Sequence, residues 1–331
     1  MVTIKDVARR ANVSVATVSR VLNQNGYVSE DASRIVLQTI KEMNYRPNAV
    51  ARTLYKKTSN MIGLIVPDIE NPFFPELARA VEDVANLYGY TVVLCNSDQD
   101  VEKEQRYVEA LKQKYVDGLI MTSHQSQFND YVDENIPIIA LDRIGDERLT
   151  TVVANNYEGG RQAAHYLKEK GAKSLAHIRG PKGIASADER YRGFLDYVME
   201  NELEYVVEEC SFQLSPAERL AARFYDEYPQ ADGVFASNDV VAAGFLKVAL
   251  KRGIPVPDQL QLIGFDGISF GHMMYPELTT VAQPIYEMGA LASRLCIKLI
   301  EGKEIDQSKN DPESFFHQLP VYMVEGDTTK K

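Results

Sequence analysis

About sixty residues into this chain the hydrophobic period changes, and that change limits what the chain can fold into more than any other feature. Before it, apolar residues recur at helical spacing: Ile4, Val7, Ala8 and Ala11 fall at i, i+3, i+4 and i+7, one stripe of a two-turn helix. Asn12 can take the positive-φ turn usually given to glycine, and Ser14 is a good N-cap for a second helix buried through Val18, Val21 and Leu22. Gln24-Asn25-Gly26 ends that helix. A third starts at the Ser29 cap, buries Val36, Ile40 and Met43, and is expected to run until Pro47 breaks it. Two short helices joined by a tight turn and closed by a third predict a helix-turn-helix unit. The piece Asn48 to Leu54 is a single short helical segment, marginal unless something packs on it.

From Met61 the apolar runs have strand length: MIGLIV at 61, TVVLCN at 91, GLIM at 118, PIIALD at 137, then SLAHIR at 174, GVFAS at 233 and LQLIGFD at 260. Amphipathic segments of helical length separate them, roughly 73 to 88 and 101 to 114 in the first half. This is the rhythm of βαβ units around a parallel sheet, and its two successive halves predict two doubly wound lobes. Ligands of such sheets bind beyond the carboxyl ends of the strands, so the cleft between lobes is the expected site.

Charge divides along the same boundary. The chain carries −11 overall, but residues 1 to 60 hold ten Lys and Arg against four acids, +6, which leaves −17 on the remainder. A basic head on an acidic body suits a nucleic-acid reader whose body has another task. In a helix-turn-helix the N-terminal residues of the second helix meet base edges. Here these are Ser14, Val15, Ala16 and Thr17, with Arg20 one turn on. Val15 and Ala16 offer contact to thymine methyls and Arg20 a bidentate pair to guanine, although Val15 also sits where it could be a core partner of Val18.

Nothing nominates an enzyme. There is no GxxxxGK[ST] loop, GxSxG elbow, HExxH or CxxC, and the five histidines are dispersed. Cys95, Cys210 and Cys296 match no metal spacing and read as inert buried thiols. No metal and no cofactor are expected. The N-terminus has acids and no continuous apolar stretch, and no run approaches membrane-spanning length, which predicts a cytoplasmic, nucleoid-associated protein with no membrane partner. What does recur is a polar and aromatic set just after strand ends: Asn71, Phe73 and Phe74; Asp142 and Arg143; Asn238 and Asp239; Asp266; Gln283. Carboxylate, amide and guanidinium groups suit vicinal hydroxyls, and phenyl faces cover the C–H patches of a sugar ring. Singly, each has a structural reading: core aromatics, a surface ion pair, helix caps. Arg190, in the run Asp188-Glu189-Arg190, could be solvated helix face. Their joint placement at successive strand ends favours a ligand.

The strings TIKDVARRANVSVATVSRVLN, NYRPNAVARTL, NPFF, ASND and IGFDG together resemble the lactose/galactose repressor (LacI/GalR) family over essentially the whole chain. IENPFFPELARAVED, CNSD and IPIIALDR bring it nearest to the ribose operon repressors of Gram-positive bacteria. The resemblance implies an all-α helix-turn-helix headpiece (1–46), a hinge helix and linker (47–60) and an α/β two-lobed, periplasmic-binding-protein-like core with doubly wound parallel sheets (61–331). Lobe one is expected over about 61–156 and 285–313, lobe two over about 157–284 and 314–331. It also implies a DNA-contacting set that adds Thr3, Ser19, Asn48, Ala51 and Leu54, the last a wedge for the minor groove. Asn12 in place of the usual turn glycine, and Tyr55 after Leu54 where many relatives have a small residue, depart from the pattern.

The effector set it implies is similar to that of periplasmic ribose-binding proteins: Asn71, Phe73, Phe74, Asp142, Arg143, Arg190, Phe212, Asn238, Asp266 and Gln283. The expected function is a sequence-specific repressor of a carbohydrate operon that binds a palindromic operator as a homodimer and responds to D-ribose or a related pentose. Sucrose or another sugar, or a phosphorylated carrier protein as controlling partner, are the alternatives. No leucine heptad trails the chain, so no coiled-coil tetramer is expected.

Overall fold

The computed structural model describes residues 2–23, 25–46, 58–122, 136–142, 149–302 and 315–331. The chain forms two compact units, Met1–Ser59 and Asn60–Lys331.

The first unit holds α1 (Ile4–Arg10), α2 (Val15–Asn23) and α3 (Glu30–Glu42). A reciprocal capping box starts α1: Asp6 N–H donates to Thr3 Oγ1 at 3.3 Å, and Thr3 N–H donates to Asp6 Oδ2 at 2.9 Å. Asn12 turns the chain at φ 52°, as its short polar side chain allows. Val7, Ala8, Ala11, Val18 and Val36 make the buried centre, with Val21, Leu22, Ile40 and Met43 packed around it. The third helix stops earlier than its sequence suggested. It ends at Glu42, with Met43 as C-cap and Asn44 in the left-handed region at φ 47°, several residues before Pro47. The break comes from that turn rather than from the proline.

In the second unit the chain first builds lobe one through β1 (Met61–Val66), α4 (Phe73–Leu87), β2 (Thr91–Asn96), α5 (Val101–Gln113), β3 (Gly118–Met121), β4 (Ile138–Leu141) and β5 (Thr150–Ala154). It then crosses to lobe two: α6 (Asn156–Glu169), β6 (Ser174–Arg179), α7 (Ala185–Glu200), β7 (Glu204–Glu209), α8 (Leu214–Glu227), β8 (Gly233–Ala236), α9 (Asp239–Lys251), β9 (Gln261–Asp266), a 3-10 turn (Ser269–Met273) and β10 (Thr279–Ala282). A second crossing leads to α10 (Ile285–Ile300) and β11 (Phe316–Leu319), and a third to β12 (Tyr322–Val324).

The two six-stranded sheets run β11-β5-β4-β3-β1-β2 and β12-β10-β9-β8-β6-β7. Every pairing is parallel except β10 with β12. This corrects one expected boundary. The segment from 314 onward does not belong wholly to lobe two, because Phe316 to Leu319 pair in register with Thr151 to Ala154 and close the edge of the lobe-one sheet. Only the part after Leu319 returns to lobe two, where Thr328 Oγ1 donates to the Leu262 carbonyl at 2.7 Å.

Strands covered on both faces read as unbroken apolar runs, which is why MIGLIV was legible. In β1, Ile62, Leu64 and Val66 pack with Leu77 and Val81 of α4, whereas Ile65 faces Val108 and Leu111 of α5. Lobe two repeats the alternation: Leu175 meets Leu167 and Phe194, while Ala176 and Ile178 meet Ala217, Phe224 and Phe245. In both lobes the strands' carboxyl ends open toward one cleft. Among the described residues no helix is long and apolar enough to cross a membrane.

Candidate functional site

Within the first unit, the N-terminus of α2 is the only face where the predicted DNA-contacting residues of a helix gather and remain exposed among the described residues. Ser14 Oγ accepts from the Thr17 N–H at 3.1 Å and lies 2.9 Å from Thr17 Oγ1, so the cap is itself part of the presented surface. Val15 is 41% exposed, which removes it from the core; Ala16 and Arg20 are exposed beside it. Ser19 is half-buried and holds the amide of Asn23 through its carbonyl at 2.9 Å. Thr3 stands apart from that helix as the cap of α1, its hydroxyl donating to Asp6 Oδ2 at 2.7 Å. Asn48, Ala51 and Leu54 lie outside the described residues.

Within the second unit, one cavity brings together Asn71, Phe73, Phe74, Asp142, Arg190, Phe212, Asn238, Asp266 and Gln283, nine of the ten residues the sequence singled out; Arg143 lies outside the described residues. Its lining comes from both lobes of the second unit. Each wall follows from a local cause. Asn71 Oδ1 accepts from the Phe73 N–H at 3.1 Å, starting α4 so that Phe73 and Phe74 sit edge to face, ring centroids 5.1 Å apart. Both rings are buried, as a core reading would have them, yet they also line the cavity. Phe212 lies on the backbone of Gly180, where a Cβ would fall 2.5 Å from its ring. Asp142 follows β4 and Asp266 ends β9, with φ of 63° and 109°, conformations that side-chain-bearing residues rarely adopt. Strain of this kind persists where surrounding structure over-determines it, and here it turns two carboxylates inward.

Arg190 is buried rather than a solvated helix residue. Its Nε–H donates to Asn156 Oδ1 at 2.8 Å and its Nη1–H to the Ser237 carbonyl at 2.6 Å; Asp266 Oδ1 stands 3.4 Å from Nη1. The Phe265 ring supports the guanidinium from 3.7 Å. Burial lowers the Arg190 pKa, opposed by Asp266, Asp142 and Asp239, and burial likewise holds Asp266 well above the usual carboxylate range against the pull of Arg190. Gln283 Nε2 donates to Asp266 Oδ1 at 2.8 Å.

Two buried atoms of the cavity residues, Asn238 Nδ2 and Gln283 Oε1, make no hydrogen bond within the described structure. An unpaired buried polar atom is costly, so one free donor and one free acceptor beside phenyl faces fit a neutral polyhydroxyl ligand. With Asp68, Asp142 and Asp266 against Arg190 among the described lining residues, an anionic ligand is disfavoured.

Asp239 is a correction to the sequence-level set. It is fully buried off the cavity, where Thr280 Oγ1 and the Ile268 N–H donate to it at 2.6 and 2.9 Å and tie β9, β10 and α9 together. Asn238 does cap α9, its Oδ1 accepting from Val241 N–H at 2.8 Å, but it keeps its amide for the cavity. Sequence reasoning missed Ser186, Gln99 and Asp68 among the lining residues. Ser186 sits one helical turn before Arg190, on the same face of α7, and that spacing was a usable signal. A further link lies outside the cavity: Glu76 Oε1 of lobe one accepts from both the N–H and the hydroxyl of Ser269 of lobe two, at 2.9 and 2.7 Å.

All three cysteines are buried and unbonded, with Cys210 and Cys296 pushed up to about 11 and about 12 by burial, as inert thiols should be. No cluster suited to a metal ion occurs among the described residues.

A family model described as periplasmic binding proteins and sugar binding domain of the LacI family matches residues 59–319, and one described as bacterial regulatory proteins, lacI family, matches residues 3–48. The ribose operon repressor of Halalkalibacterium halodurans is 52% identical over 330 residues, covering 100% of this chain and 98% of that protein. Three solved structures share the fold. A periplasmic binding protein/LacI transcriptional regulator from Alkaliphilus metalliredigens, complexed with D-xylulofuranose, has TM-score 0.76 and 34% identity over 82% of this chain and 100% of that one. The lac repressor dimer bound to operator has TM-score 0.87 and 26% identity over 99% and 98% of the two chains. A LacI family regulator from Enterococcus faecium with bound ribose has TM-score 0.71 and 28% identity over 81% and 98%.

Proposed function

This chain belongs to the LacI family of bacterial transcriptional regulators, and from that premise we propose that it represses a carbohydrate operon, binding a palindromic operator as a homodimer and releasing it when D-ribose occupies the cleft. The observation that carries the sugar reading is the cavity itself, where residues from both lobes converge with one unpaired donor and one unpaired acceptor. Ribose is favoured over other sugars by the names of relatives, the 52% identical ribose operon repressor first among them, and by the ribose held in a protein of the same fold. The pentulose in the 34% identical structure also supports a five-carbon sugar.

The proposed mechanism is a population shift. Sugar bridges Asn71, Phe73, Phe74 and Asp142 of lobe one to Arg190, Phe212, Asn238 and Asp266 of lobe two, and so favours the closed cleft. It acts only through its different affinity for the two arrangements. Closure that moves lobe one would separate the two hinge segments of a dimer and so withdraw the Leu54 wedge from the operator. A coupling of about 1 to 3 kcal/mol changes operator affinity roughly 5- to 150-fold, enough for induction. Two-fold symmetry of the protein matches the two half-sites of the operator. The protein would work in the cytoplasm, on the nucleoid.

Calorimetric titration with D-ribose, then with other pentoses, hexoses and their phosphates, tests the reading. Micromolar binding of ribose, with little response to sugar phosphates, is the expected result. Silence across the panel would overturn the sugar reading and favour control by a protein partner.

A further inference from the structure

The effector cation is wired to the place where the lobes join. Asn156 is the first residue of α6, immediately after the first crossing, and is 5% exposed. Its Nδ2–H donates to the carbonyl of Ala154, the last residue of β5 in lobe one, at 3.1 Å. Its Oδ1 accepts from Arg190 Nε–H at 2.8 Å. Arg190 faces Asp266 at 3.4 Å, and Asp266 accepts from the side chain of Gln283 at 2.8 Å. Gln283 lies in the second crossing, between Ala282 and Ile285, and its N–H donates to the Asp266 carbonyl at 3.0 Å. One buried polar chain therefore starts on the first crossing, passes through Arg190 and Asp266 and ends on the second.

We infer that Asn156 is the positioning residue that joins Arg190 to the inter-lobe hinge, so that the guanidinium a sugar grips and the peptide about which the lobes turn share one side chain. Asn156 lines not the sugar cavity but a neighbouring recess with Tyr157, Glu189 and Gln318, so it acts through Arg190 rather than by touching the sugar. The guanidinium has five N–H groups in a fixed plane. With Nε held by Asn156 and Nη1 by Ser237, its orientation toward the cavity is set, and any reorientation on sugar binding is felt at Ala154. Close approach of α6 and α7 makes this possible: a Cβ on Gly160 would lie 2.1 Å from the Arg190 carbonyl, and one on Gly193 would lie 1.9 Å from the Tyr157 carbonyl.

The inference rests on the sugar reading above, and two variants separate it from that reading. Asn156→Ala strands the buried Nε–H and should weaken ribose binding about 5- to 150-fold, the usual consequence of an orphaned buried donor. Asn156→Asp keeps the acceptor for Arg190, and a carboxylate is welcome at a helix N-terminus, but it cannot donate to Ala154. It should bind ribose within about threefold of the wild type, while saturating ribose no longer lowers operator affinity by the factor of about 5 to 150 that ordinary coupling gives. Calorimetry with ribose and operator titrations with and without it, on the full chain, read both effects; melting curves confirm folding. Wild-type affinity in Asn156→Ala, or a full operator response in Asn156→Asp, overturns the inference while leaving the sugar reading intact. A wild-type protein that binds no sugar overturns both.

Discussion

The headpiece and the cleft make their contacts in opposite ways. The headpiece presents Ser14, Val15, Ala16 and Arg20 from the start of one short helix, and leaves them exposed on a core of few residues. The cleft collects single residues from positions 71 to 283, buries most of them and ties several to one another. DNA is a large, rigid partner that supplies its own order, so the reader needs only a rigid helix with the right side chains outward. A sugar is small and well hydrated, so the site must supply the order itself. The difference predicts that headpiece substitutions act singly and locally, whereas cleft substitutions act as a group.

Asp266→Ala puts the greatest strain on this comparison. It removes a carboxylate that meets both Arg190 and Gln283 and leaves the buried guanidinium without its ion-pair partner, a change that costs about 3 to 5 kcal/mol in comparable pairs. Ribose affinity should fall by more than about a hundredfold in calorimetry, with operator binding in the absence of sugar unchanged. Loss of operator binding in the folded variant would mean that the two regions are not separable. Arg20→Ala is its counterpart in the headpiece. Loss of one bidentate base contact should weaken specific operator binding by about 1 to 3 kcal/mol and leave the ribose titration untouched.

Acid sharpens the contrast further, because all five histidines lie outside the headpiece unit. His177 is fully buried, gives its Nδ1 to the Phe235 carbonyl at 3.0 Å, stacks on that ring, and has its pKa pushed down to about 3 by burial. Its folded pKa is below the unfolded one, so its contribution to stability is complete above pH 6.5 and is lost as pH falls. From pH 7 to 5 that loss is about 2 kcal/mol. Asp239 and Asp266 have folded pKa values raised by burial, so they push the other way, favouring the fold as pH falls through the same window. His177→Leu removes the first effect and keeps the second. Denaturant melts of the two proteins should therefore diverge by about 2 kcal/mol between pH 7 and 5, and parallel curves would show that His177 is not buried neutral.

The smallest effect is expected at the inter-lobe link. Glu76→Ala deletes an acceptor shared by two donors of Ser269, and sugar affinity should drop by about 1 kcal/mol, roughly fivefold, chiefly through faster release. An unchanged release rate would place that contact outside the closing motion.

The same contrast explains what the sequence disclosed. The headpiece was readable almost residue by residue, because caps, turn and apolar stripe are local: Asn12, Ser14 and Ser29 do what their types dictate. The buried strands were readable as runs, but β7, with its sequence EYVVEE, and the short β11 and β12 carry no such run, since edge strands are only half covered. For the cleft, strand-end placement recovered most of the lining. It could not tell Asn238 from its neighbour Asp239, because one residue of rotation at a helix start decides which of the two faces the cavity. Asn156 carried no signal at all, for its role depends on Arg190, thirty-four positions later.

The discontinuous lobes also have a consequence for the order of synthesis. The headpiece core draws only on residues 2 to 45, so the headpiece can fold early in synthesis. Lobe one must wait for α10 to cover its sheet and for β11 to close its edge, so neither face nor edge is finished until residue 319 has been made. During that interval the nascent protein has a headpiece without a finished sensor, a state in which a sugar could not yet be heeded.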